Sequence, residues 1–169
     1  MNEISLAKAT IRKQILEARK GGKPTNQELT ANLLAVVEQY KPQRVGTYLS
    51  YPTEPSTTEF IESLISRGIP VLVPETVGEN ELVWHEVVSG SETTLTSGDL
   101  LIIPALAVDE TGNRLGRGKG YFDRGLSDLE GVVIYAVVFE SEVLESVPVE
   151  SHDQRVHGVV TQVQIRKIN

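Results

Sequence analysis

Apolar residues recur at helical spacing near the start of the chain. Ile4, Ala7, Ile11, Ile15 and Ala18 form one stripe and predict a helix over 5–20. Lys8, Arg12 and Arg19 fall on a common edge beside that stripe, because offsets of four and eleven residues return to nearly the same helical angle. Gly21, Gly22 and Pro24 end the helix, and Thr25 or Asn26 caps a second one running to about residue 40. A short apolar run over 45–49 predicts a strand. The loop YPTEPSTTEF then leads into a helix capped by Ser56 or Thr57, with Phe60, Ile61, Leu64 and Ile65 as its buried face and Gly68 as its stop. Residues 70–73 read as the next strand, and 82–88 alternate in part, as an edge strand does. The most apolar stretch, 100–108, predicts a strand buried on both faces. A glycine-rich segment follows it, then a short helix over 120–129 and another buried strand over 132–139. A helical turn over 140–146 and weak strands over 159–163 and at the last residues complete the pattern.

Strand alternating with helix predicts an α/β protein, an open and mostly parallel sheet with helices on both faces. No repeat, low-complexity tract or linker divides the chain, so one domain over 1–169 is expected. Ligands of such sheets bind outside the C-terminal ends of the strands. The segments there are 50–57 and 109–121, with 140–153 as a weaker third.

The chain has 169 residues and a formal net charge of -7, which argues against non-specific binding to nucleic acid or an anionic membrane. Its cations are nevertheless concentrated. Six of the sixteen Lys and Arg lie between Lys8 and Lys23 and four between Arg114 and Arg124, with none over 68–113, where eight carboxylates sit. Taken alone, the N-terminal cations read as the solvated face of a helix. Cysteine is absent, which removes disulfides, thiol nucleophiles and Cys-ligated metals. No apolar run at the N-terminus has signal-peptide length and none approaches a membrane span, so a cytoplasmic protein is expected.

The segment RLGRGKGYFDRGL over 114–126 changes the picture most. Gly116, Gly118 and Gly120 alternate with Arg117 and Lys119, Arg114 and Arg124 flank them, and Tyr121, Phe122 and Asp123 follow the last glycine. Glycine lets successive N–H groups turn toward a bound anion, and Arg or Lys adds charge-assisted bonds to phosphate oxygens. The spacing is neither that of a P-loop nor that of a dinucleotide fingerprint, so the position of Glu140 about twenty residues on is coincidence. The residue types point to a polyphosphate. Asp123 is either a hard oxygen ligand for a phosphate-bound Mg²⁺ or a first-turn helix carboxylate, and chemistry alone does not separate the two. Asp153 reads first as a turn aspartate and second as a metal ligand. The three histidines have no zinc-like spacing, and Trp84 reads as packing. Glu54, stiffened by Pro52 and Pro55, either binds an N–H-rich heterocycle or solvates its loop.

The chain resembles the 5-formyltetrahydrofolate cyclo-ligase family along nearly its whole length. The resemblance is carried by KATIR at 8–12, YLSYPTEPSTTEFI at 48–61 and LIIPALAVDETGNRLGRGKGYFDRGL at 101–126, then by HD at 152–153 and VVT at 159–161. It implies a three-layer α/β/α sandwich similar to ribose-phosphate isomerases and CoA transferases. Matched position by position, it implies ATP contacts from Lys8, Ala9, Thr10, Ile11 and Arg12, and from Arg114, Leu115, Gly116, Arg117, Gly118, Lys119, Gly120, Tyr121 and Phe122. Folate would meet Leu49, Glu54, Arg117, Gly118, Lys119, Gly120 and Tyr121, and Mg²⁺ would be held by Asp123 and Asp153. One departure stands near the C-terminus, where His157 replaces the acidic residue the family commonly has before its VVT strand.

The implied reaction is ATP-dependent closure of 5-formyltetrahydrofolate to 5,10-methenyltetrahydrofolate, with Lys119 and Arg117 as the catalytic cations. Phosphoryl transfer asks for positioning and charge neutralisation rather than a covalent nucleophile, which suits a chain without cysteine or a triad. ATP, the folate and Mg²⁺ are the expected ligands of a monomer that binds neither nucleic acid nor membrane. Two other classes share the fold: a sugar-phosphate isomerase or CoA-transferase-like enzyme, and a nucleotide-binding module without chemistry. Folate-dependent release of phosphate from MgATP distinguishes the three.

Overall fold

The computed structural model describes residues 1–22, 27–79 and 81–169. Five parallel strands make the middle of its main sheet. Across it they run β10 (Gly158–Val160), β8 (Val133–Val137), β5 (Leu100–Pro104), β1 (Val45–Gly46) and β2 (Val71–Val77). Antiparallel strands finish both sides, β11 (Ile165–Lys167) beyond β10, and β3 (Glu81–Glu86) then β4 (Glu92–Thr93) beyond β2. A second sheet of three short strands has β6 (Ala107–Asp109) between β7 (Arg114–Leu115) and β9 (Val143–Leu144).

The two-residue period of the strands divides the core in two. Val45, Val71, Leu100, Ile102, Tyr135 and Val137 meet α2 (Gln27–Tyr40) and α3 (Thr58–Ser66) through Leu29, Leu33, Val36, Phe60 and Leu64. Leu72, Leu101, Ile103, Ile134 and Ala136 face the other way, toward α4 (Tyr121–Leu126) and Val108 of the small sheet. A one-residue slip of any middle strand would exchange these faces, so apolar burial fixes the register. The result is the three-layer α/β/α arrangement, with a thin second outer layer.

Helix α1 (Glu3–Lys20) stands apart from both cores. Asn2 caps it by accepting a 2.7 Å hydrogen bond from the Ser5 N–H. Ile11 and Ile15 pack on Ala107, Leu115 and Val147 of the small-sheet region. The anticipated stripe is only half used, since Ile4 and Ala18 are exposed. The two buried residues of α1 are Lys8 and Arg19.

The sequence pattern needs several corrections. The run 100–108 is not one strand: β5 stops at Pro104, and the chain turns a corner before β6 enters the other sheet. Strand β3 is not at the edge, because β4 pairs outside Trp84 and His85. Ile65 is half out of the core at 38% exposure. Thr57 precedes α3 without a side-chain cap; its hydroxyl donates instead to the Tyr48 carbonyl at 2.6 Å, tying the helix to the end of β1. The span 140–146 holds only a 3-10 turn at Glu140–Glu142 before β9. Pro24, Thr25 and Asn26 lie outside the described residues. Among those residues no helix is long and apolar enough to cross a membrane.

Candidate active site

Two segments about a hundred positions apart meet at the C-terminal ends of the parallel strands. Arg12 Nε of α1 donates to the Gly116 carbonyl at 2.8 Å. Gly118 has φ +100°, a backbone angle that demands glycine, and a Cβ there would lie 3.3 Å from Arg12 Cζ. A Cβ on Gly116 would come within 2.8 Å of Arg114 Nη1. The carbonyls of Gly116 and Lys119 are taken by Arg12 and Arg124. Among the described residues, no acceptor takes the backbone N–H of Gly116, Arg117, Gly118 or Lys119. A loop with these two carbonyls tied back and, among the described residues, four successive N–H groups unclaimed suits an anion.

Between the loop and α1 lies a cleft of about 1080 Å³. Most of its cations are already paired with carboxylates. Lys8 Nζ bonds Asp153 and, at 2.8 Å, Glu150. Arg114 Nη2 lies 3.1 Å from Asp123, while the buried Nε of the same side chain has no partner. Arg117 Nε is 3.4 Å from the buried carboxylate of Glu54. Of the three cations at 114, 117 and 119, only Lys119 has no carboxylate partner among the described residues. Burial pushes the Lys8 ammonium down, but its bonds to Asp153 and Glu150 outweigh this and hold it above the ordinary lysine value. Burial likewise pushes Asp153 up, and Lys8 with the Glu150 N–H keeps it below the usual carboxylate range. The Lys8 bond also lowers Glu150.

Deeper in the cleft, Arg19 makes a two-pronged pair with Glu142 at 2.7 and 2.8 Å and donates to the Ala105 carbonyl at 2.9 Å. That carbonyl sits at the corner where the chain leaves β5 for β6, so one buried cation fastens α1 to the floor of the cleft. Opposite, the loop after β1 is self-braced. Glu54 Oε2 accepts from the Tyr51 N–H at 2.7 Å, and the Tyr51 carbonyl accepts from the Glu54 N–H at 3.0 Å. The buried Tyr48 hydroxyl donates to Pro55 at 2.7 Å.

Most of the anticipated site residues line this one cleft: Lys8, Ala9, Arg12, Leu49, Glu54, the whole of 114–123, and Asp153. Thr10 and Ile11 do not. Thr10 is exposed and bonds back to the Leu6 carbonyl at 3.0 Å, and Ile11 packs on the small sheet. A helix offers one face to a ligand, and these two positions are on the others. Two of the N-terminal cations, Lys8 and Arg19, are not on a solvated face, each being 5% exposed, whereas Lys13 and Lys20 are exposed. The sequence left Glu150 unassigned, although it stands three residues before Asp153 on the same short loop; with His152 it offers Asp153 a ligand cluster within 4.8 Å. Tyr51 also lines the cleft. His157 lies elsewhere: its Nδ1 accepts from the Ile134 N–H at 2.9 Å, a place where a carboxylate oxygen would accept equally well. Glu140 serves structure, holding Thr161, Gln164 and Arg166 at the end of β10.

An anion-ready glycine loop outside the ends of a parallel sheet defines an α/β protein for a phosphate-bearing ligand. Comparison with known proteins narrows that class. A model of the 5-formyltetrahydrofolate cyclo-ligase family matches residues 4–98 and 88–162, and the chain belongs to that family. The 5-formyltetrahydrofolate cyclo-ligase of Mycolicibacterium smegmatis is 30% identical over 142 residues, covering 69% of this chain and 72% of the relative. The Escherichia coli K12 enzyme of the same name is 31% identical over 143 residues, covering 72% and 79%. The fold matches the NMR structure of Aquifex aeolicus 5,10-methenyltetrahydrofolate synthetase with a TM-score of 0.82 at 23% identity, over 96% of this chain and 93% of that one. The synthetase of Mycoplasma pneumoniae gives 0.80 at 19%, over 92% and 98%.

Proposed function

We propose that the cleft between α1 and the glycine loop binds ATP and 5-formyltetrahydrofolate together, and that the loop's cations carry the reaction. The chain is a cyclo-ligase that closes 5-formyltetrahydrofolate to 5,10-methenyltetrahydrofolate at the expense of ATP. The formyl oxygen is an amide oxygen and leaves poorly. Transfer of the γ-phosphoryl group to it releases ADP and makes a good leaving group on an electrophilic, imidate-like carbon. The folate's second nitrogen attacks that carbon and gives up its proton to the departing phosphate, which leaves with the former formyl oxygen as the ring closes. Lys119, which has no carboxylate partner among the described residues, takes the γ-phosphate and its transition-state charge; Arg117 and Arg114 clamp neighbouring oxygens. Lys8 and Arg12 reach the phosphates from α1, and Glu54 holds the pterin beside Leu49.

The donor set suits Mg²⁺. Asp123 and Asp153 present hard oxygens on the cleft wall, and the unpartnered Nε of buried Arg114 beside Asp123 suits a phosphate neighbour. When bound, the ion would neutralise phosphate charge. The proposal also takes residues 1–169 as one domain working as a cytoplasmic monomer.

The observation that carries this reading is the 2.8 Å bond from Arg12 to Gly116, which makes one cleft of two cationic segments. Phosphate released from MgATP is to be measured with and without 5-formyltetrahydrofolate, alongside methenyl absorbance. Folate-dependent release with matching product is expected, and Lys119→Ala lowers turnover by about two to three orders of magnitude. Release that ignores the folate, or near-normal turnover in the variant, contradicts it.

A further inference from the structure

Arg117 occupies a curious position for a phosphate-binding cation. Its Nε lies 3.4 Å from Glu54, and its guanidinium carbon is 5.6 Å from the centroid of the Tyr51 ring. Glu54 is buried, whereas Tyr51 and Leu49 line the cleft and are 65% and 64% exposed. Exposed apolar side chains beside a buried carboxylate describe a subsite for a flat ligand with an N–H-rich edge. The reciprocal bonds between Tyr51 and Glu54 hold the Tyr51 backbone and the carboxylate in fixed relation.

A guanidinium is a planar array of N–H donors that pairs with carboxylates and lies on aromatic faces. The amino-pyrimidine edge of a pterin carries its N–C(NH₂)–N segment in the same flat pattern. The two groups seek the same partners and cannot share them.

We propose that Arg117 holds the place of the pterin edge on Glu54 and Tyr51, and that nucleotide phosphate draws it away. Tyr51 then becomes the stacking surface for the pterin ring. This rests on the reading that the cleft takes MgATP and 5-formyltetrahydrofolate. The Arg117 side chain is 41% exposed and its 3.4 Å contact with Glu54 is long for a charge-assisted hydrogen bond, so the cation is free to exchange it for a triphosphate. The carboxylate keeps a cation near it until the nucleotide arrives, and the two substrates bind cooperatively because one vacates the other's place.

Calorimetric titration of 5-formyltetrahydrofolate, with and without a non-hydrolysable MgATP analogue, tests this in four proteins. In the wild type the analogue tightens folate binding about tenfold, a usual size for coupling between sites. In Arg117→Met, folate without nucleotide binds about as tightly as the wild type does with it, and the analogue adds almost nothing. Tyr51→Ala weakens binding about tenfold in the presence of the analogue, as the loss of a stacking surface does, and Tyr51→Phe restores it. Tyr51 is exposed and its backbone makes the bracing bonds, so the variant folds. Nucleotide-free binding that is weaker in Arg117→Met than in the wild type, or unchanged affinity in Tyr51→Ala, overturns the inference while leaving the proposed activity standing. Failure of the wild type to bind the folate even with the analogue overturns both.

Discussion

Helices α1 and α2 have similar lengths and opposite interiors. α2 buries Leu29, Leu33, Val36 and Val37 against the sheet, as an amphipathic helix of a layered fold does. α1 buries Lys8 and Arg19 and leaves Ile4 and Leu6 exposed at 39% and 60%. Burying a charge costs far more than burying a leucine unless a partner is waiting. α1 keeps its cations inside because Asp153, Glu150 and Glu142 receive them. The difference teaches where the molecule serves its ligand: α2 stabilises the sheet, and α1 forms a wall of the cleft.

Substitutions that remove the inner residues sharpen the contrast. Arg19→Met strands the buried Glu142 and lowers stability by about 3–5 kcal/mol, read by urea denaturation. Leu33→Ala leaves a cavity under α2 and costs about 2–5 kcal/mol, while the KM for ATP stays at its wild-type value. A rise in that KM on losing Leu33 breaks the division of labour. Smaller still is the pH dependence of the link from Lys8 to Asp153. On the basic side its contribution is whole below the ordinary lysine value of 10.5 and fades as pH rises through the raised folded value. On the acid side it is present above 3.8 and is lost as pH falls through the lowered value of Asp153. Melting temperature against pH therefore bends at both limits, and Lys8→Met removes the alkaline bend. Leu6→Ala, on the exposed side of α1, changes stability by about 0.5 kcal/mol or less.

What the sequence conveyed follows the same divide. β5 and β8 were legible because strands buried on both faces leave continuous apolar runs, such as Leu100 to Ile103. The corner after Pro104 was not, since the apolar run continues through Ala105 and Leu106 into a different sheet. The glycine loop was legible in residue types alone, because alternating glycines and cations serve few purposes other than anion binding. Its pairing with α1 was suggested by charge clustering, but the partners Glu142 and Glu150 were not, since ion pairs spanning 123 and 142 positions leave no local pattern. Thr10 and Ile11 show the limit of carrying over a contiguous motif: along a helix, neighbours in sequence point in different directions.

The most direct measurement is a structure of the enzyme with a non-hydrolysable MgATP analogue and 5-formyltetrahydrofolate. The triphosphate should lie within hydrogen-bond reach of Lys8 or Arg12 on one side and of Lys119 with the N–H groups of 116–119 on the other. A triphosphate that touches only α1, or only the glycine loop, would contradict the claim that these two segments form one nucleotide site.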